Sequence, residues 1–81
     1  MVQFKSKMEL IWSAINEVLH ESGRNVVLET PRGTRLCGDL GLDSLDLAVL
    51  TVKIEAMTGI DVFAKGIVTT VGEISDRLDG R

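Results

Sequence analysis

Apolar residues recur at three- and four-residue steps near the start of the chain: Phe4, Met8, Ile11, Ile15 and Val18, with Trp12 and Leu19 on the edge of the same stripe. That period is the one a helix presents on a single face, so the segment predicts an α-helix with one buried side. Ser6-x-x-Glu9 has the spacing of a capping box, in which each side chain answers a backbone N–H left free at the helix start, and Gly23 offers a left-handed stop. A second periodic run predicts a helix over Ser44 to Thr58. Asp43 is its expected N-cap, Asp46 stands at the third helical position near the positive end of the macrodipole, and Gly59 can end it. Thr70-x-x-Glu73 repeats the capping-box spacing, and Val71, Ile74 and Leu78 supply the stripe of a last helix.

Between these runs the pattern breaks down. From Gly23 to Asp43 the chain carries Pro31, Gly33, Gly38 and Gly41 without sustained periodicity and reads as a long connection. A structureless loop of about 20 residues is uncommon in a compact domain, so Val26, Val27, Leu28, Leu36 and Leu40 are expected to pin it to the core. Ile60 to Lys65 has room for only a turn or two of helix. The sum is an all-α chain of three sizeable helices and a short third one, a small four-helix bundle with a long first loop and no β-sheet. Met8, Ile15, Leu50, Ile54 and Ile74 are expected among its most buried residues.

The helix from Ser44 to Thr58 has two apolar faces when projected at 100° per residue. Leu47, Leu50, Ile54 and Met57 form one, and Leu45, Ala48, Val49, Val52 and Ala56 the other. Two polar stripes divide them: Asp46 with Lys53, and Ser44 with Thr51, Glu55 and Thr58. A small core can claim the first face. The second is either covered by the long loop and the short helix or left open to a partner.

The length, 81 residues, bounds the chain to a single domain spanning 1–81 with a small core. At 44% hydrophobic and 26% charged residues the composition is globular, and no apolar run approaches the length that spans a bilayer. The start of the chain does not read as a signal peptide, because Glu9, Asn16 and Glu17 interrupt the apolar positions. Nine basic against twelve acidic residues leave a net charge of −3, and the scattered basic residues offer no footprint for nucleic acid. Cys37 is the only cysteine, which excludes an intrachain disulfide and fits a reducing cytoplasm. Flanked by Leu36 and Gly38, it reads as a small buried hydrophobe. Arg32 and Arg35 read as solvated loop charges. Asp39, Gly41 and Asp43 do not make a calcium loop, since Ser44 stands where the turn glycine belongs and Leu50 where the terminal glutamate belongs. The single histidine, His20, reads as a solvated residue at a helix end, and no identifiable base accompanies Ser44, which argues against a nucleophilic-serine enzyme.

The string Asp39-Leu-Gly-Leu-Asp43-Ser44-Leu-Asp46, followed by the apolar run Leu47 to Val52, seats one hydroxyl at the mouth of a helix between two carboxylates. It resembles the phosphopantetheine site of discrete acyl carrier proteins, and the order of elements extends that resemblance over most of the chain. The resemblance implies a bundle of acyl-carrier type, with 4'-phosphopantetheine attached covalently to Ser44 and no catalysis by the chain itself. It also implies a phosphopantetheinyl transferase and acyl-loading and acyl-using enzymes as partners of a monomeric, cytoplasmic protein. A phosphate on the first turn of a helix faces free N–H groups and the positive dipole end, worth about 0.3 to 1 kcal/mol near a surface. By the same resemblance, Asp43, Leu45, Asp46, Ala48, Val49, Val52 and Ala56 form the docking surface. The common fatty-acid carriers bear several acids there, whereas Val49 stands here where a docking acid is expected. This departure favours a specialised lipid, polyketide or surface-glycan pathway, with recognition more apolar than electrostatic. Two alternatives stay open: an aminoacyl or peptidyl carrier, although those more usually place Gly-Gly-His or Gly-Gly-Asp before the serine, and a helical interaction module without a prosthetic group.

Overall fold

The computed structural model describes residues 6–25, 31–64 and 66–79. Three helices account for its regular structure: α1 (Lys7–Glu21), α2 (Ser44–Thr58) and α3 (Val71–Leu78). Each begins at the cap the sequence offers. Ser6 accepts a hydrogen bond from the Glu9 N–H, Asp43 from the Asp46 N–H and Thr70 from the Glu73 N–H. The reciprocal half of the third box is displaced by one residue, because Glu73 accepts from the Thr69 N–H rather than from that of Thr70. Gly23 follows α1 at φ 79° and Gly59 caps α2 at φ 77°, left-handed values that a side chain would strain.

The core lies where the three helix faces and the long connection meet. Ile11, Ile15, Val18 and Leu19 from α1, Leu50 and Ile54 from α2, and Val71 and Ile74 from α3 surround Leu36, Leu42, Val62 and Val68 from the connections. Of the five residues expected to be most buried, Ile15, Leu50, Ile54 and Ile74 are sealed from solvent. Met8 is only half-buried and packs against the rim of the core, as its place in the first turn of α1 dictates. Leu36 and Leu40 do pin the first connection. Phe4, Val26, Val27, Leu28 and Lys65 lie outside the described residues.

The first connection is a chain of turns. Leu36 N–H donates to Thr69 O (2.9 Å) and Val71 N–H to Thr34 O (3.0 Å), forming an isolated antiparallel bridge at Arg35 and Thr70. No sheet grows from it among the described residues. Gly72 N–H donates to Arg32 O (2.8 Å), bringing the loop backbone so close that a Cβ at Gly72 would stand 3.0 Å from that oxygen.

The short third helix expected within Ile60 to Lys65 is reduced to a hydrogen-bonded turn. Ala64 N–H reaches Asp61 O and Gly66 N–H reaches Phe63 O, while the Asp61 carboxylate accepts from the Phe63 N–H. Three-residue closures of this kind do not propagate between Gly59 and Gly66, both at positive φ. Arg77 of α3 fixes the segment by donating to Val62 O (3.1 Å) and Gly66 O (3.3 Å).

Candidate functional site

Ser44 is the first residue of α2 and is exposed. The task of capping falls to Asp43: its carboxylate accepts from the Asp46 N–H at 2.9 Å, and Asp46 returns the bond by accepting from the Asp43 N–H at 3.1 Å. The reciprocal pair fixes the first turn from both sides. The hydrogen bond from the Asp46 N–H is the main reason the Asp43 carboxyl sits below the ordinary carboxylate range, with smaller help from the positive charge of Arg24. The Ser44 hydroxyl is therefore held at the positive end of a helix without being spent on the helix itself.

Arg24 is the residue that sequence reasoning missed. It stands just beyond α1, where its own N–H donates to Leu19 O (2.8 Å), and its guanidinium donates to Ser22 Oγ (2.7 Å) and to Asp46 Oδ2 (2.9 Å). One side chain thus ties the end of α1 to the first turn of α2. A second tie lies further along, where Lys53 of α2 reaches Glu21 (3.1 Å) and Glu17 (3.4 Å) of α1. Glu21 is the chief cause of its raised pKa, and Glu17 adds to it.

The other charges of the motif serve the loop. Asp39 accepts from the Arg35 N–H (2.7 Å) and guanidinium (3.0 Å), and that side-chain contact is the main cause of its lowered pKa. Arg32 and Arg35 are exposed, as expected of solvated loop charges, yet each has a partner, Asp76 for the first and Asp39 for the second. Cys37 corrects the sequence reading, because it is exposed rather than buried. Leu36 takes the inward position with its backbone anchored to Thr69, which leaves the next residue of the turn outside. His20 is exposed in the last turn of α1.

The two faces of α2 separate as the projection implies. Leu50 and Ile54 are buried and Leu47 and Met57 pack against the core, while Leu45 is 72% exposed, Val52 66% and Val49 36%, with Ala48 and Ala56 exposed beside them. The described residues of the connections do not cover this second face. Of the residues expected to dock partners, Asp43, Leu45, Ala48, Val49, Val52 and Ala56 are on the surface, whereas Asp46 is mostly enclosed by its pairing with Arg24.

Beside Ser44 a cleft of about 270 Å³ opens between α2 and the turn that follows it, lined by Ser44, Leu47, Ala48, Phe63 and Ile67. Ile67, 76% exposed, forms its outer lip. Thr51 lies one turn further on the stripe that carries Ser44, Leu47 and Ala48. The sequence places it on the polar stripe that divides the two apolar faces, and its Oγ1 is buried and has no hydrogen-bond partner. Leaving such a group unsatisfied costs about 1–3 kcal/mol.

The site is thus an exposed serine on the first turn of a helix that its neighbour caps, set among the three described helices with a long first connection. The family described as phosphopantetheine attachment site matches residues 10–78, and the chain belongs to it. No curated protein and no solved structure matches the chain.

Proposed function

We propose that this protein is an acyl carrier whose attachment residue is Ser44. The observation that carries the reading is the division of labour in the first turn of α2, where Asp43 does the capping and leaves an exposed hydroxyl in the region the family spans. The residues fit a phosphate diester. Ser44 offers the oxygen, the positive end of the helix dipole favours the anion, and the Arg24 pairing offsets the charge of Asp46. On a phosphopantetheinyl transferase, Ser44 Oγ would attack the pyrophosphate of coenzyme A: the Oγ–P bond forms, the bond to the adenosine bisphosphate breaks, and the hydroxyl proton passes to a base of the transferase. Once attached, the arm supplies a thiol that holds an acyl group as a thioester.

The chain's own part is positional, and the bond-making belongs to its partners. The exposed face of Leu45, Ala48, Val49, Val52 and Ala56, with Asp43 beside Ser44, is the surface we assign to acyl-loading and acyl-using enzymes. Its scarcity of acids supports a place in a specialised lipid, polyketide or surface-glycan pathway of the cytoplasm. Intact mass after incubation with coenzyme A and a broad-specificity transferase tests the reading. A gain of one phosphopantetheine by the wild type and none by Ser44→Ala is the expected result. An unmodified wild type would point to an interaction module acting through the same apolar face.

A further inference from the structure

Ser44 stands in the chain between two carboxylates, Asp43 and Asp46, and both answer to one guanidinium. Arg24 donates from Nη1 to Asp46 Oδ2 at 2.9 Å and to Ser22 Oγ at 2.7 Å, and its positive charge adds to the lowering of the Asp43 carboxyl. Its place is fixed by the backbone too. The Arg24 N–H donates to Leu19 O of α1, and a Cβ at Gly41 would stand in ordinary contact with Arg24 Nε at 3.6 Å. The two members of the pair differ in what they show to solvent: the Arg24 side chain is 35% exposed and that of Asp46 14%. A surface approaching Ser44 along this edge therefore meets the cation before the anion. Glu21, the other acid on the groove that Asp46 and Val49 line, is likewise held by a cation, Lys53, which it shares with Glu17.

We propose that Arg24 is a specificity-determining residue of the docking surface: it covers Asp46 and presents its own charge beside Ser44, which turns away enzymes whose carrier-binding face is rich in Lys and Arg. The proposal rests on the carrier reading of Ser44 and adds the kind of partner the surface fits, a face apolar at its centre and neutral or acidic where it meets Arg24. Two carboxylates flanking an exposed hydroxyl would by themselves suit a basic partner. With the guanidinium in place, a partner lysine or arginine opposite this edge faces a like charge, and like charges brought together across an interface suppress the wrong partner. A partner carboxylate or carbonyl is favoured instead, since a guanidinium carries five N–H donors and both of the side-chain bonds described leave from Nη1. Asp46 loses no structural duty by being covered. Its carboxylate still accepts from the Asp43 N–H, so one side chain holds the first turn of α2 while its charge is hidden.

The test follows phosphopantetheine addition by intact mass, with coenzyme A and two phosphopantetheinyl transferases, one of broad specificity and one whose carrier-binding face is rich in Lys and Arg. Wild type, Arg24→Gln, Arg24→Lys and Asp46→Asn are compared at low and high ionic strength by the ratio of kcat/KM with the basic transferase to that with the broad one. Arg24→Gln should raise this ratio about two- to fivefold, the size of one exposed charge contact, and high salt should remove the rise. Arg24→Lys keeps the charge and should keep the wild-type ratio. Asp46→Asn breaks the same tie between α1 and α2 yet leaves the guanidinium uncompensated, so it should lower the ratio. Lost packing alone would move Arg24→Gln and Asp46→Asn the same way. Wild type supplies a check that needs no variant to fold: its ratio should not fall as salt rises. A wild-type ratio that falls steeply with salt, or one that Arg24→Gln and Asp46→Asn shift together or leave alone, overturns the role of Arg24 while the carrier reading stands. Absence of mass gain from both transferases overturns the carrier reading, and the role of Arg24 with it.

Discussion

Asp43 and Ser44 are adjacent residues with opposite duties, and substitution separates them. Ser44→Ala should abolish phosphopantetheine addition while changing stability by less than about 0.5 kcal/mol, since an exposed residue that caps nothing contributes little. Chemical denaturation beside intact mass checks both halves. Asp43→Asn keeps an amide that can cap but removes the titration. Because the Asp43 carboxyl is lowered in the fold, chiefly by the Asp46 N–H, its charged form stabilises above the ordinary carboxylate range, and that stabilisation is lost as pH falls through the lowered value. Asp43→Asn should therefore melt less steeply with falling pH than wild type below about pH 4, as thermal melts across an acid series would show. The cap was legible in the sequence because its two partners stand three positions apart. Arg24 was not, because its pairing with Asp46 crosses 22 positions and the end of a helix, and nothing local marks one loop arginine over Arg32 or Arg35. Cys37 misled for a related reason: Leu36 beside it is buried, and a turn, unlike a helix, has no period to say which neighbour faces inward.

At the scale of elements, caps and stripes placed all three helices to the residue at their starts, since both signals are local. The turn after Gly59 resisted the same treatment, because a handful of residues between glycines at positive φ holds too few hydrogen bonds to tell a helical turn from an open one. Long-range contact is also what decides Gly72. An alanine within an exposed helix normally gains about 1 kcal/mol over glycine, and inspection of α3 alone would favour it. Here the added Cβ would press on Arg32 O at 3.0 Å, an oxygen held in place by the Gly72 N–H. Gly72→Ala should consequently lower the melting temperature rather than raise it, and Thr70→Ala should cost about 0.5–2 kcal/mol as a lost cap. Calorimetry of the two variants checks both. The ties from Arg24 and Lys53 make α1 and α2 the firmer pair, and α3 secures the remaining turn through Arg77.

For the molecule as a whole, the sequence left one alternative open that the fold decides among the described residues: the second face of α2 is exposed. Pattern alone could not do so, because the same stripe suits burial under a loop and contact with a partner. On the proposed docking face, binding of the cognate enzyme should depend weakly on salt, since screening acts on exposed charges and hardly on apolar burial. Val49→Asp should weaken it by a few kcal/mol, the scale of burying an unpaired carboxylate. Affinity at low and high ionic strength, with both proteins, measures this. A consequence follows for the timing of encounters. Asp46 is already neutralised by Arg24, so beyond the Asp43 carboxylate the surface around Ser44 has little field with which to draw an enzyme in from a distance. Association should run at the ordinary rate of about 10⁵–10⁷ M⁻¹s⁻¹ rather than the 10⁸–10⁹ of steered pairs. Selectivity must then reside in how long a correct complex lasts, and enzymes that find their carriers by charge would pass this one by.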